Sequence, residues 1–240
     1  FLLAGYADLN YAQLRINLDR KADEILIKQW PDWVAQLING RSVQYILGHT
    51  AFYDSEFLVD ERVLIPRPET EELVEWILKD YSTSDNLKVL DLGTGSGAIG
   101  LTLKKHKPNW DLTLSDISKD ALIVAKKNAF NLKLDVNFIL SDVWQNLQNN
   151  FDLIVSNPPY IDFKNDEIDD VVLNNEPKIA LFANDNGMEI YKKILSGAHK
   201  NQTLYFEIGN KQANSILKLA SNSIIRRDLN GKVRMVKIKL

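Results

Sequence analysis

From Phe151 to Val155 the chain reads Phe-Asp-Leu-Ile-Val, an apolar run of strand length that ends in Ser156, Asn157, Pro158, Pro159 and Tyr160. It lacks the polar alternation of a half-wet strand, so it has to be covered on both faces, as strands of parallel sheets are. Neither proline can donate to a sheet ladder, and each restrains the residue before it. The chain must therefore leave the sheet stiffly at Asn157. A polar amide and an aromatic ring are thus held at a strand's C-terminal end, where open α/β sheets bind ligands. An ordinary strand exit with Asn as the turn former is the plain alternative.

The rest of the chain supplies the layers such a strand needs. From Leu87, KVLDLGTGSGAIG gives a buried strand, a glycine-rich turn and a helix start. That helix continues through Leu101 to Lys107 and stops at Pro108-Asn109. Asp111 to Ser115 is a second strand closing at Asp116, and Ser118 is the predicted N-cap of a helix over Lys119 to Phe130. A third strand, Val136 to Leu140, closes at Ser141-Asp142, and Phe151 opens the fourth. Met188 to His199 reads as helix, Thr203 to Ile208 as strand and Gln212 to Ser221 as helix. Ile224 to Leu229 and Arg234 to Leu240 close the pattern as an antiparallel pair around Asn230-Gly231. Alternating strands and helices predict an α/β fold with a doubly wound, mostly parallel sheet and antiparallel C-terminal strands.

Three segments are expected: a helical region over 1–50, a β-hairpin over 51–66, and the main domain over 67–240. In the first, Leu14, Leu18, Ile25 and Leu26 recur at helical spacing, and Pro31 suits the first turn of a second helix that Asn39-Gly40 ends. The chain starts as if partway into a helix. AFYDSEFLVDERVL is rich in aromatic and β-branched residues around Asp54-Ser55, which predicts the hairpin. IPRPETEELVEWILKDY follows, with Pro66 and Pro68 extended and Glu69, Glu71 and Glu72 at a helix start that favours them. Leu73, Val74, Ile77, Leu78 and Tyr81 mark that helix's apolar face, and Ser82 to Asn86 is a polar linker.

Composition narrows the chemistry. The 240 residues carry a formal charge of −3 and a sequence pI of about 5.7, so no global basic field attracts nucleic acid. With no cysteine, disulfides, thiolate metal sites and cysteine nucleophiles are excluded, and a reducing compartment is suggested. His49, His106 and His199 lack metal-ligand spacing, so no metal site is expected. No apolar run reaches the ~20 residues of a membrane span.

The turn Asp91-Leu-Gly-Thr-Gly-Ser-Gly97 carries Gly93, Thr94, Gly95, Ser96 and Gly97. Its spacing differs from a dinucleotide fingerprint, and it lacks the Gly-Lys-Ser/Thr ending of a phosphate loop. A ligand with an amino-acid tail and a nucleoside fits better than a pyrophosphate. Asp116 stands where an acid accepts both hydroxyls of a ribose, although capping a helix is its plain alternative. Asp142 and Val143 close the third strand where an adenine amino group could be held.

The triple-glycine turn, the acid after the second strand and Asn-Pro-Pro-Tyr after the fourth resemble a class I S-adenosylmethionine-dependent methyltransferase acting on planar amino groups. More narrowly, LIPRPETEELVE, FDLIVSNPPY, NEPKIAL and LYFEIG resemble the release-factor glutamine methyltransferases, from about Gly40 to the C-terminus. Many relatives carry an arginine before the glutamate, where this chain has Val172-Leu-Asn-Asn. The resemblance implies a Rossmann-like domain, S-adenosylmethionine as cofactor, and the glutamine of the Gly-Gly-Gln motif of peptide-chain release factors as substrate. It also implies a cytoplasmic monomer with no direct nucleic-acid or membrane partner.

On that reading Gly93, Thr94, Gly95, Ser96, Gly97, Asp116, Asp142, Val143 and Asn157 hold the cofactor. Asn157 and Pro158 accept the two N–H bonds of the target amide, and Tyr160 packs on its flat face beside Pro159. Glu207, in FEIG, either reaches the substrate or is a plain strand-end acid. Arg67 and Glu69 brace the cofactor lid, or Glu69 only caps a helix. A DNA or RNA amino methyltransferase and a catalytically idle interaction module share the tetrad and stay open.

Overall fold

The structure is a computed structural model describing residues 2–82, 86–148, 150–166 and 168–240. Nine strands are described: β1 (His49–Phe52), β2 (Ser55–Leu58), β3 (Lys88–Leu92), β4 (Asp111–Asp116), β5 (Asn137–Leu140), β6 (Leu153–Ser156), β7 (Thr203–Glu207), β8 (Ile224–Arg227) and β9 (Val233–Lys239). Strands β3 to β9 form one seven-stranded sheet in the order β5-β4-β3-β6-β7-β9-β8. The first five of these are parallel, and β9 runs antiparallel to both β7 and β8. The α/β fold, the mostly parallel sheet and its antiparallel close are therefore as the sequence predicts.

Why β6 carries no alternation is visible in its packing. Leu153 and Val155 enter one apolar cluster, with Leu73, Trp76, Leu101 and Trp110, while Ile154 enters the opposite one, with Tyr191, Ile194 and Ile216. The first cluster is roofed by helices Pro68–Asp80, Ala98–His106 and Lys119–Leu132, the second by Glu189–Gly197 and Ala213–Leu219. Both faces are dry, so every side chain of the strand must be able to leave water. The chain walks outward from β3 through β4 to β5, then returns to β6 on β3's other side. Crossovers thus diverge above β3 and β6, and that switch point opens a crevice at the strands' C-terminal ends.

Upstream, the structure corrects several boundaries. One helix, Glu24–Ile38, carries Pro31 in its interior rather than in a first turn. Proline's fixed φ is itself helical, and the capped turns on either side carry the helix through the one missing bond. Its start is fixed by the Asp23 carboxylate, which accepts from the Leu26 N–H at 2.7 Å, and Gly40 follows its end at φ 85°. Leu18 does not continue a helical face: helix Tyr11–Ile16 ends at Asn17, whose side-chain amide donates back to the Gln13 carbonyl at 2.7 Å. The hairpin spans 49–58, shorter than 51–66, and turns at Tyr53-Asp54, one residue earlier than expected. Tyr81 lies just beyond helix Pro68–Asp80, although its ring still packs on that core. Thr83, Ser84 and Asp85 of the expected linker lie outside the described residues.

Phe52 and Phe57 sink the hairpin into the first apolar cluster, and one buried amide fastens its outgoing strand to the sheet domain. Asn128 accepts from the Leu58 N–H at 2.7 Å and donates to the Leu58 carbonyl at 3.0 Å. It also donates to the Ser96 carbonyl in the glycine turn at 2.8 Å. Tyr45, from helix Val43–Leu47, adds an apolar seam with Val59, Val63, Ile65 and Val124.

Candidate active site

The glycine turn leaves β3 and is drawn towards β4: the N–H groups of Gly93 and Thr94 both donate to the Ser115 carbonyl, at 2.8 and 2.9 Å. Gly95 has φ 56°, and a side chain built there would meet nothing within 4 Å, so open backbone faces the crevice. Gly97 is glycine for a different reason. It starts helix Ala98–His106 at φ 85°, and a Cβ there would come within 2.9 Å of Leu101 Cδ1. Beneath the turn, buried Asp91 accepts from the Thr94 hydroxyl at 2.6 Å and the Gly100 N–H at 2.9 Å.

Asp116 closes β4 with its carboxylate over the turn. One oxygen accepts from the Gly95 N–H and the other from the Ser118 N–H, both at 2.8 Å. The cap of the next helix is Ser118 itself, accepting from the Ala121 N–H at 3.1 Å. A carboxylate has about four acceptor sites, so each Asp116 oxygen keeps capacity beyond its backbone bond. After β5, Val143 sits at φ 47°, a conformation that β-branched residues rarely adopt. Its carbonyl accepts from the Ser141 hydroxyl at 2.9 Å, and the distortion turns it into the crevice beside Asp142.

Gly93, Thr94, Gly95, Ser96, Asp116, Asp142, Val143, Asn157, Pro158 and Pro159 line one cavity of about 220 Å³. The turn after β3 and the proline turn after β6 are thus two walls of a single space. Gly97, Tyr160 and Glu207 stand behind those walls. Sequence reasoning gave no role to other lining residues: Thr70, Ser156, and the apolar group Pro177, Ile179 and Phe182. Arg67, expected to brace a lid, also lines the cavity and donates to Glu176 at 2.5 Å. That pair joins the IPRPETE segment to NEPKIAL across 109 residues. Backbone bonds from Ile161 to Leu181 and from Ala183 to Ile161, both 3.0 Å, fold NEPKIAL back beside the proline turn.

A second layer of polar groups backs the proline turn. Glu207, buried at the end of β7, accepts from the Thr70 hydroxyl at 2.5 Å. The Asn157 side-chain NH2 donates to the same hydroxyl oxygen at 3.4 Å. The Tyr160 hydroxyl donates to the other Glu207 oxygen at 3.4 Å and accepts from Arg234 at 3.3 Å. Burial, then the Glu207 charge, pushes the Tyr160 phenol up to about 12.

Three buried acids surround this space, and burial raises each one's pKa. For Asp116 the backbone bonds oppose it, and for Glu207 the Thr70 bond and then Arg234 do. Asp91 is pushed up to about 6 by burial, against the pull of Thr94 and Gly100. Between 3.8 and about 6 the folded Asp91 therefore keeps a proton that the unfolded chain has lost. Stability contributed by this group is full below the unfolded value of 3.8 and falls as pH rises towards about 6. At ~1.4 kcal/mol per pK unit the loss is about 2–3 kcal/mol. The difference in urea-unfolding stability between the parent protein and Asp91→Asn is expected to change across that window. A difference independent of pH removes Asp91 as the source.

A family model described as "Methyltransferase small domain" matches residues 70–175, which include both cavity turns. A protein of Flavobacterium psychrophilum named release factor glutamine methyltransferase is 40% identical over 99% of this chain and 89% of its own length. One of the same name from Lactococcus lactis subsp. lactis is 46% identical over 82% of this chain and 76% of its own. Among solved structures, a T. thermophilus 16S rRNA methyltransferase in complex with AdoMet and guanosine superposes with a TM-score of 0.59 at 15% identity. That match covers 80% of this chain and 49% of the other. The fold is that of class I methyltransferases, and the chain belongs to the release factor glutamine methyltransferase family.

Proposed function

We propose that this chain methylates the side-chain amide nitrogen of the glutamine in the Gly-Gly-Gln motif of peptide-chain release factors, using S-adenosylmethionine. The observation that carries the reading is the shared cavity. A nucleoside-type glycine turn and an amide-accepting proline turn face one space of about 220 Å³.

The walls suit the cofactor. Open backbone at Gly95 admits a close ligand, the spare acceptor sites of Asp116 match a ribose diol, and Asp142 with Val143 stands where the base would lie. Of the cavity's charged groups, Arg62 is paired with Asp60 and Arg67 with Glu176, which leaves Asp116 and Asp142 to favour a cation. When bound, S-adenosylmethionine supplies a methyl group already activated on a positively charged sulfur.

The protein's own task is then to position and polarise. An amide nitrogen is a poor nucleophile because its lone pair is delocalised into the carbonyl. The Asn157 side-chain oxygen and the Pro158 carbonyl accept its two N–H bonds, which favours localising that lone pair and matches the positive charge that develops on the nitrogen. The stiff turn fixes both acceptors before substrate arrives. Neither acceptor needs to remove a proton first. Pro159 excludes water from the amide's flat face, and Tyr160 backs the turn from behind the wall, its hydroxyl held by Glu207 and Arg234.

We assign residues 67–240 to the chemistry and the helical region 1–50 with the hairpin segment 51–66 to gripping the release factor. The chain acts as a monomer in the cytoplasm on a protein rather than on nucleic acid, a reading supported by its net charge of −3 and lack of cysteine. Among the described residues no helix is long and apolar enough to cross a membrane. Incubation with labelled cofactor and release factor, nucleic acid or free glutamine tests the reading. Label is expected in release factor, with a much lower kcat/KM for free glutamine, because remote contacts must hold a weak nucleophile in line. Labelling of nucleic acid instead overturns the substrate. Equal kcat/KM for free glutamine and release factor removes the gripping role from residues 1–66.

A further inference from the structure

A hydroxyl carries one hydrogen and two lone pairs. The Thr70 oxygen lies 2.5 Å from a Glu207 carboxylate oxygen and 3.4 Å from the Asn157 side-chain amide. Burial works against ionising Glu207, but Arg234, donating through Tyr160, faces its other oxygen. The ionised carboxylate only accepts, so the single Thr70 hydrogen goes to Glu207, in a short, charge-assisted bond. Thr70 then has only lone pairs left for Asn157. The end of the Asn157 amide facing Thr70 must be its NH2, because the carbonyl there would set oxygen against oxygen. At 3.4 Å the Asn157 bond is long, so its part is to exclude the flipped amide rather than to bind tightly.

The far side of the network leads to the same polarity. Arg234 donates to Tyr160, and Tyr160 donates to the second Glu207 oxygen. Donors thus converge on Glu207 from both sides: Arg234 to Tyr160 to Glu207, and Asn157 to Thr70 to Glu207. Glu207 itself lies behind the cavity wall, and only Thr70 and Asn157 in this second arm line it.

We propose that Thr70 and Glu207 are positioning residues that fix the orientation of the Asn157 amide, so that its oxygen rather than its nitrogen faces the substrate. The inference rests on the reading of Asn157 as the acceptor of the substrate N–H. Without the lock the amide would spend part of its time presenting NH2 to the substrate NH2, donor against donor, and those encounters would be unproductive.

A double-mutant cycle on the full chain, read as methyl transfer to release factor, tests it. In the parent background Thr70→Val is expected to lower kcat about tenfold, within the range of couplings between contacting residues, and Glu207→Gln, which keeps one acceptor oxygen, by less. The cofactor Kd should stay within about twofold, since neither group contacts the cofactor in this assignment. Thr70→Ser, which keeps the hydroxyl, restores most of the rate lost in Thr70→Val. In an Asn157→Ala background both substitutions should lose their effect, there being no amide left to orient. Equal losses in the two backgrounds, or Thr70→Ser as slow as Thr70→Val, overturn the inference and leave the network merely structural. Should Thr70→Val fail to fold by circular dichroism, Thr70→Ala takes its place in the cycle, with Thr70→Ser again as the hydroxyl-keeping control. Failure of the underlying reading shows separately, as an Asn157→Ala protein with the parent rate.

Discussion

Replacing Asn157 by alanine should slow methyl transfer at least ~10²-fold, the scale of losing one preorganised polar partner of a transition state. The strand and both prolines survive the change, and the lost side chain is only half-buried, so folding and cofactor affinity should hardly move. Asn157→Asp is the sharper companion. A carboxylate can still accept from the substrate, but it cannot donate to Thr70 and adds a third charge to a wall that already carries Asp116 and Asp142. Residual activity in the aspartate variant with none in alanine identifies acceptance as the essential role. An alanine variant that is folded by circular dichroism and methylates release factor at the parent rate returns Asn157 to a turn former.

The second large effect falls on the cofactor. Asp116→Ala should weaken S-adenosylmethionine binding by ~1.5–3 kcal/mol, the worth of hydrogen bonds to a charged group. That is about 10- to 150-fold in Kd, measurable by titration calorimetry. Because Asp116 also holds the Gly95 and Ser118 N–H groups, part of the loss could come from a loosened turn. Asp116→Asn, melted beside Asp116→Ala without cofactor, separates the two contributions, because only a loosened turn lowers Tm. It keeps one acceptor oxygen and replaces the other with a donor, and the turn has to re-form around a single acceptor. An unchanged Kd in the alanine variant confines Asp116 to the backbone it already holds.

How far the sequence reaches is set by the range of the interactions. The β3 and β6 strands were legible because a strand dry on both faces must be written in apolar residues, and Leu153, Ile154 and Val155 are all buried. The glycine turn was legible because Gly93, Gly95 and Gly97 all take positive φ, which few other residues tolerate. Ser118 was legible as a cap because capping is settled within four residues. Other features have no local signature. Thr70 meets Glu207 across 137 residues, and Arg67 meets Glu176 across 109. Thr70 taken alone reads as a helix-start threonine, and Glu207 and Arg67 were placed near the site only through the family resemblance, without their partners. Val143 was legible as a site residue, but its backbone was hidden for the opposite reason: local preference argues against its φ of 47°, and the surrounding fold overrides it. Pro31 misled because a rule about helix starts was applied to a helix whose real start is Asp23.

The Asn128 side chain has a thermodynamic consequence. By saturating both backbone groups of Leu58 and the carbonyl of Ser96, it makes the outgoing hairpin strand and the glycine turn one mechanical piece. Neither can shift without breaking a buried bond, at ~1–3 kcal/mol for each group left unpaired. Any ligand that displaces one end therefore acts on the other, and linkage makes the exchange symmetric. A protein that tightens on the hairpin when the cofactor is present must, by the same factor, tighten the cofactor.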